Sequence, residues 1–261
     1  MIEIVALIGI AVAAGLLAGL LGIGGGIVIV PALAALLIAQ GASLDIAMPM
    51  AVATALGSML MTSAASALAH SRRGAVDWPA VIRLGPSLAF GALVGAWLAT
   101  HVPGVMLARI FAILAGLIGL HMLVGAAAPA RPVASKPRWW GFFAPLFGAL
   151  SAMIGIGGGS FNVPYLRYNG YSTLHAIAIA AACGWPIALA GSAGFVAAGW
   201  NLELWPGALG YWYLPGVFVI GVVGMLSAPW GARLGHRIGS VGLSRLFGIF
   251  LLVVAGRMLL Q

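Results

Sequence analysis

Two pentapeptides carry the chemistry of this sequence. Gly22-Ile23-Gly24-Gly25-Gly26 lies within LGIGGGIVIVP (Leu21–Pro31), and Gly155-Ile156-Gly157-Gly158-Gly159 lies within IGIGGGSFNVP (Ile154–Pro164). The pentapeptides are identical, and Pro31 matches Pro164. A glycine costs a helix about 1 kcal/mol relative to alanine, so such a cluster breaks one. It also leaves backbone N–H groups uncovered by side chains. If a half-helix starts just after the break, its first N–H groups are unpaired and carry the positive end of the helix dipole. That is an anion site, and the backbone of Gly24, Gly25 and Gly26, and of Gly157, Gly158 and Gly159, is expected to form it. The competing reading is close helix packing, for which membrane helices also use glycine. Neither pentapeptide is a nucleotide fingerprint: the spacing is not G-x-G-x-x-G, and no Lys-Ser or Lys-Thr follows.

Side chains near the breaks add to this. Ser160 and Asn162 follow the second break where the first half has Ile27 and Ile29. One turn past a break they read either as donors to a bound oxyanion or as caps on the helix end. Thr54, Ser58 and Thr62 are spaced by four and form one helical stripe. Their counterparts in the second half are Cys183, Ile187 and Gly191. The stripe reads either as the lining of a polar path or as hydroxyls bonded to their own backbone. His70, Arg72 and Arg73 close a span on its basic side, as interfacial residues or as a gate that attracts anions. No metal-like spacing joins the histidines, and the single cysteine, Cys183, excludes an intrachain disulfide and any cysteine-based zinc site. No catalytic set lies at membrane depth, so neither enzyme chemistry nor a cofactor is expected.

The elements that must position these residues are apolar. The 261 residues are 63% hydrophobic and 6% charged, against about 25% charged in a soluble domain. Apolar runs cover Ile4–Ala39, Ile46–Ala69, Val81–Thr100, Val105–Ala128, Trp139–Leu166, Leu174–Ala198, Pro206–Ala228 and Val241–Leu260. These are spanning lengths. The first is too long and too glycine-broken for a cleaved signal peptide. The net charge of +8 comes from basic residues between the runs, which is no nucleic-acid footprint. Residues 129–138, within APARPVASKPR, read as a linker between residues 1–128 and residues 139–261.

The basic residues set the orientation. If runs one and five each crossed once, the split would be nearly even, at seven to five. If both dip and return at their glycines, Arg72, Arg73, Arg83, Arg131, Lys136, Arg138, Arg167, Arg233, Arg237 and Arg245 share one side. Arg109 and Arg257 alone face the other. This second arrangement obeys the positive-inside rule. Each half is then a re-entrant hairpin plus three spans, and an odd number of spans turns the second half upside down. The expected fold is an all-α polytopic integral membrane protein of two inverted-topology repeats, with a cytoplasmic linker and the N-terminus outside. Broken helices at matching positions of two halves point to a transporter site.

The acids are Glu3, Asp45, Asp77 and Glu203, all at run ends or in loops. No span carries the central carboxylate of a proton relay or cation path. A monoanion leaving a cell at 100 mV, inside negative, gains about 2.3 kcal/mol, roughly 50-fold in concentration. Export therefore needs no coupling, whereas import needs a coupled ion, which backbone carbonyls could hold as Na⁺.

The paired GLLGIGGGIVIVP and GALSAMIGIGGGSFNVP, with AVATALGSMLMTSAASALAHSRRGAVDW after the first, resemble the TauE/SafE family of sulfite exporters over the whole chain. The resemblance implies a bacterial inner-membrane protein that moves sulfite or small organosulfonates outward. It carries the glycine signatures onto Gly22–Gly26 and Gly155–Gly159, the Thr/Ser-rich helix onto Thr54, Thr62 and Ser63, and the basic motif onto His70, Arg72, Arg73 and Gly74. Cys183 stands where the first half has Thr54, so the halves are not chemically equivalent. The reading is export by alternating access, with a small anion and the bilayer as partners and a homodimer expected by analogy. Its rivals are transport of another small organic anion and a membrane scaffold without transport.

Overall fold

The computed structural model describes residues 2–21, 25–124, 140–238 and 240–259. Its helices are α1 (Ile2–Leu21), α2 (Gly26–Ala39), α3 (Leu44–Arg72), α4 (Trp78–His101), α5 (Gly104–Val124), α6 (Trp140–Met153), α7 (Gly159–Tyr168), α8 (Thr173–Gly199), α9 (Leu214–Ile238) and α10 (Ser240–Leu259). Two short strands, β1 (Ala208–Leu209) and β2 (Trp212–Tyr213), pair antiparallel before α9. The chain is thus an all-α polytopic membrane protein. Among the described residues, α3, α4, α5, α8 and residues 214–231 of α9 are long and apolar enough to cross a bilayer. The linker at 129–138 lies outside the described residues.

The second expected break is present: residues 154–158 separate α6 from α7. At the first, α1 ends at Leu21 and α2 begins at Gly26, and residues 22–24 lie outside the described residues. The seventh apolar run differs from expectation. It becomes helical only at Leu214, because Pro206 and the left-handed Gly207 (φ 75°) and Gly210 (φ 57°) turn the chain into the β1–β2 hairpin first.

The two halves pack with matching partners. α1 lies on α9 and α6 on α4, α3 crosses α8, and α5 crosses α10. The crossings have direction. Gly184 meets Ser63 and Gly191 meets Leu56, so α3 and α8 run antiparallel. Gly116 faces Ala255 and Gly119 faces Gly248, so α5 and α10 do too. Gly216, Gly221 and Gly224 face Thr54, Met61 and Thr62 in turn, so α9 runs parallel to α3. α2 and α7 end alike. Gly41 donates to the Ile38 carbonyl and Ala42 to that of Leu37, while Gly170 donates to Arg167 and Tyr171 to Leu166. Gly41 and Gly170 sit at φ 98° and 95°, the left-handed helix stop that glycine adopts without strain.

α3 is the most enclosed of the five spanning helices. Its stretch Ala47–Ser58 is buried without interruption, ringed by α2, α8 and α9. A helix buried on all sides needs no amphipathic stripe, and here small residues let its neighbours come close.

Candidate functional site

The start of α2 meets the α6–α7 break inside the protein. A Cβ on Gly26, the first residue of α2, would overlap the Gly155 carbonyl oxygen, and Ile156 lies against the same spot. Gly155 in turn faces Val30 of α2 and Val52 of α3. The α6–α7 break therefore sits on the first turns of α2 and on the first third of α3. Gly155 is held at φ 65°. It donates to the Ala152 carbonyl at 3.3 Å, and Ile156 donates to that of Ser151 at 3.0 Å, which closes the end of α6.

α7 begins with its donors free. Gly158 precedes it without a side-chain cap. The first backbone bond runs from Asn162 N–H to the Gly158 carbonyl at 2.8 Å, and the N–H groups of Gly159, Ser160 and Phe161 find no backbone acceptor among the described residues. Asn162 is 3% exposed. Its Nδ2 leans back over Gly158 and has no hydrogen-bond partner, and neither has the buried Ser160 Oγ. Buried polar groups are nearly always paired, so this concentration of idle donors is unusual. α2 also starts without a side-chain cap after Gly25, but Ile27 and Ile29 stand where α7 has Ser160 and Asn162. Gly24 lies outside the described residues.

The Thr/Ser stripe of α3 is placed differently. Thr54 accepts a hydrogen bond from the Tyr213 N–H at 3.0 Å, and its methyl packs on Gly216. Val52, which faces Gly155, is two positions away, or about 200° around the helix. Thr54 therefore faces α9 and the hairpin, with its back to Gly155. Ser58 donates to the Ala55 carbonyl at 2.8 Å, the local bond that competes with a path-lining role. On α8, Cys183 is fully buried, one turn before Ile187, whose Cδ1 touches Gly158. The structure thus groups Gly26, Gly155, Gly158, Asn162 and the Cys183–Ile187 edge of α8, while Thr54 and Ser58 bond elsewhere.

Polar bonds tie the loops at both ends. Gly104 N–H donates to Asp45 Oδ1, and the Tyr213 hydroxyl donates to Glu3 Oε1. At the opposite end of α3, the Tyr171 hydroxyl donates to Asp77 Oδ2 at 3.1 Å. Burial first, then the Asp77 carboxylate, pushes the Tyr171 phenol up to about 12. His70, with its Nδ1 buried and unpaired, and the exposed Arg72 and Arg73 lie at this same end.

Reading the sequence alone overlooked Ser151, fully buried with an idle Oγ beside the break, and the Glu3–Tyr213–Thr54 connection. No local pattern announces a contact between residues some two hundred positions apart. A lone serine before a glycine run was the one available signal. Among the described residues, no group of His, Cys, Asp and Glu could hold a metal.

Comparison with known proteins bears on this arrangement. The family model "Sulfite exporter TauE/SafE" matches residues 7–258. A "Probable membrane transporter protein" of Haemophilus influenzae is 33% identical over 250 residues, covering 95% of each chain. A protein of the same description from Xylella fastidiosa is 27% identical over 213 residues, covering 78% of this chain and 77% of its own. No solved structure matches.

Proposed function

The chain belongs to the sulfite exporter TauE/SafE family and is a multi-pass membrane transporter, and from that premise we propose that it exports sulfite or a small organosulfonate from the bacterial cytoplasm by alternating access. The observation that carries the reading is the junction of the α6–α7 break with the start of α2. Irregular backbone at membrane depth persists only where protein encloses it or water reaches it. Here it meets α3 at Val52, in a stretch of that helix buried on all sides, and ends in unpaired donors at α7. Backbone N–H groups and the Asn162 amide suit an oxyanion, because hydrogen bonds to a charged acceptor are about twice as strong as neutral ones.

Two inverted repeats in the inner membrane account for the packing. Corresponding helices α3 and α8, and α5 and α10, run antiparallel, as inversion requires. The Tyr171–Asp77 bond supports one side for the loops after α3 and after α7, the expected cytoplasmic side. The N-terminus and the hairpin, joined by Glu3 and Tyr213, then lie outside. Arg72 and Arg73 on the inner side raise the local concentration of anions at the mouth. The membrane potential drives the charge outward.

Flux tests the reading. Proteoliposomes loaded with sulfite should lose it faster under an inside-negative potential, and Gly158→Leu should abolish the loss while the protein still inserts. Intact protein that moves no small sulfur oxyanion under any gradient would sink the proposal.

A further inference from the structure

We infer that the anion is held at the start of α7, where Asn162 and Ser160 supply its side-chain donors, and that the start of α2 is not a second, equivalent site. The inference rests on the export reading above and narrows it. Identical pentapeptides suggest two equivalent anion sites facing each other, but the side chains that follow them differ. At α2, the Gly155 carbonyl oxygen stands against Gly26 so closely that no side chain fits. The next side chains there, Ile27 and Ile29, are buried and apolar. At α7, unpaired donors converge among the described residues: the N–H groups of Gly159, Ser160 and Phe161, the Ser160 hydroxyl and the Asn162 amide. An almost fully buried amide with no partner is costly unless something else accepts from it. The missing acceptor is the substrate's oxyanion group.

Gly158 belongs to the same device. A Cβ there would strike Asn162 Nδ2 and crowd Ile187, so glycine is what lets the amide fold back over the helix start. Asn162 is thus the residue that makes the two breaks unequal, and each cycle carries a single oxyanion on the second half. The Gly26–Gly155 contact is a structural joint between the halves.

The test is titration of the purified full-length protein in detergent with sodium sulfite and sodium methanesulfonate, with chloride as control. Asn162→Leu should weaken binding at least tenfold. Its ligand-free unfolding temperature should equal or exceed that of the wild type, because an idle buried amide has gone. Gly158→Ala should weaken binding similarly by displacing the amide. Gly25→Ala, at the start of α2, should change affinity by less than twofold. Equal losses at Gly25 and Gly158, or full affinity in Asn162→Leu, would overturn the one-ended site and leave export standing. A wild type that binds neither sulfite nor methanesulfonate overturns export and this inference together.

Discussion

Gly155 and Gly26 show how single residues hold the junction. Gly155 occupies the left-handed region, which costs other residues roughly 1–2 kcal/mol, and it also packs against Val30 and Val52. Gly155→Ala should lower the thermal midpoint in detergent by the equivalent of about 2 kcal/mol. Gly26→Ala should cost more, since its Cβ meets a main-chain oxygen that cannot rotate away. A midpoint within a degree of wild type for Gly26→Ala would contradict the described contact. The importance of both glycines was legible in the sequence, because four glycines in five residues are hard to reconcile with a continuous helix. The different tasks of the two pentapeptides were not legible, since identical residues met different neighbours.

The α3 stripe gives the corresponding lesson for an element. A spacing of four fixed Thr54, Ser58 and Thr62 to one face but could not say what that face would meet. It met α9 and the hairpin, and Thr54 took the Tyr213 N–H. Thr54→Val should therefore strand a buried donor, at about 1–3 kcal/mol, and lower the unfolding temperature, whereas Thr54→Ser should restore it. Sulfite affinity should be the same in both. A large affinity loss in Thr54→Val without destabilisation would return Thr54 to the substrate path. The hairpin escaped the sequence reading because apolarity over Pro206–Ala228 is blind to the left-handed turns at Gly207 and Gly210.

For the whole molecule, orientation and gating are the tests. Cys183 is the only cysteine, so Cys183→Ala provides a clean background for labelling with an impermeant thiol reagent. Ser43→Cys and Asn201→Cys should label from outside, and Thr173→Cys only from inside; all three positions are exposed. Outside labelling at 173 would refute the inverted arrangement. Under alternating access the Tyr213–Glu3 and Tyr171–Asp77 bonds join the halves at opposite ends. Tyr171→Phe should raise inside access to native Cys183, and Tyr213→Phe outside access. Raising the pH from 7 to 9 should not mimic Tyr171→Phe. The folded phenol, at about 12 against an ordinary 10.0, keeps its proton throughout. Its contribution to stability is fully present below pH 10 and is lost only as pH rises through 12.

The sequence by itself determined that the chain is a polytopic membrane protein and placed glycine clusters inside its first and fifth apolar runs, and its basic residues carry the expectation of which ends share a side. These properties follow from composition, local helix-breaking and the cost of moving charge across lipid, all readable without knowing any contact. Only the tertiary structure decided that the start of α2 packs on the α6–α7 break, that the Gly155 carbonyl oxygen lies against Gly26, and that Asn162 is left with a donor and no acceptor. Those facts depend on which surfaces are pressed together across the two halves, and two identical pentapeptides carry no record of their neighbours.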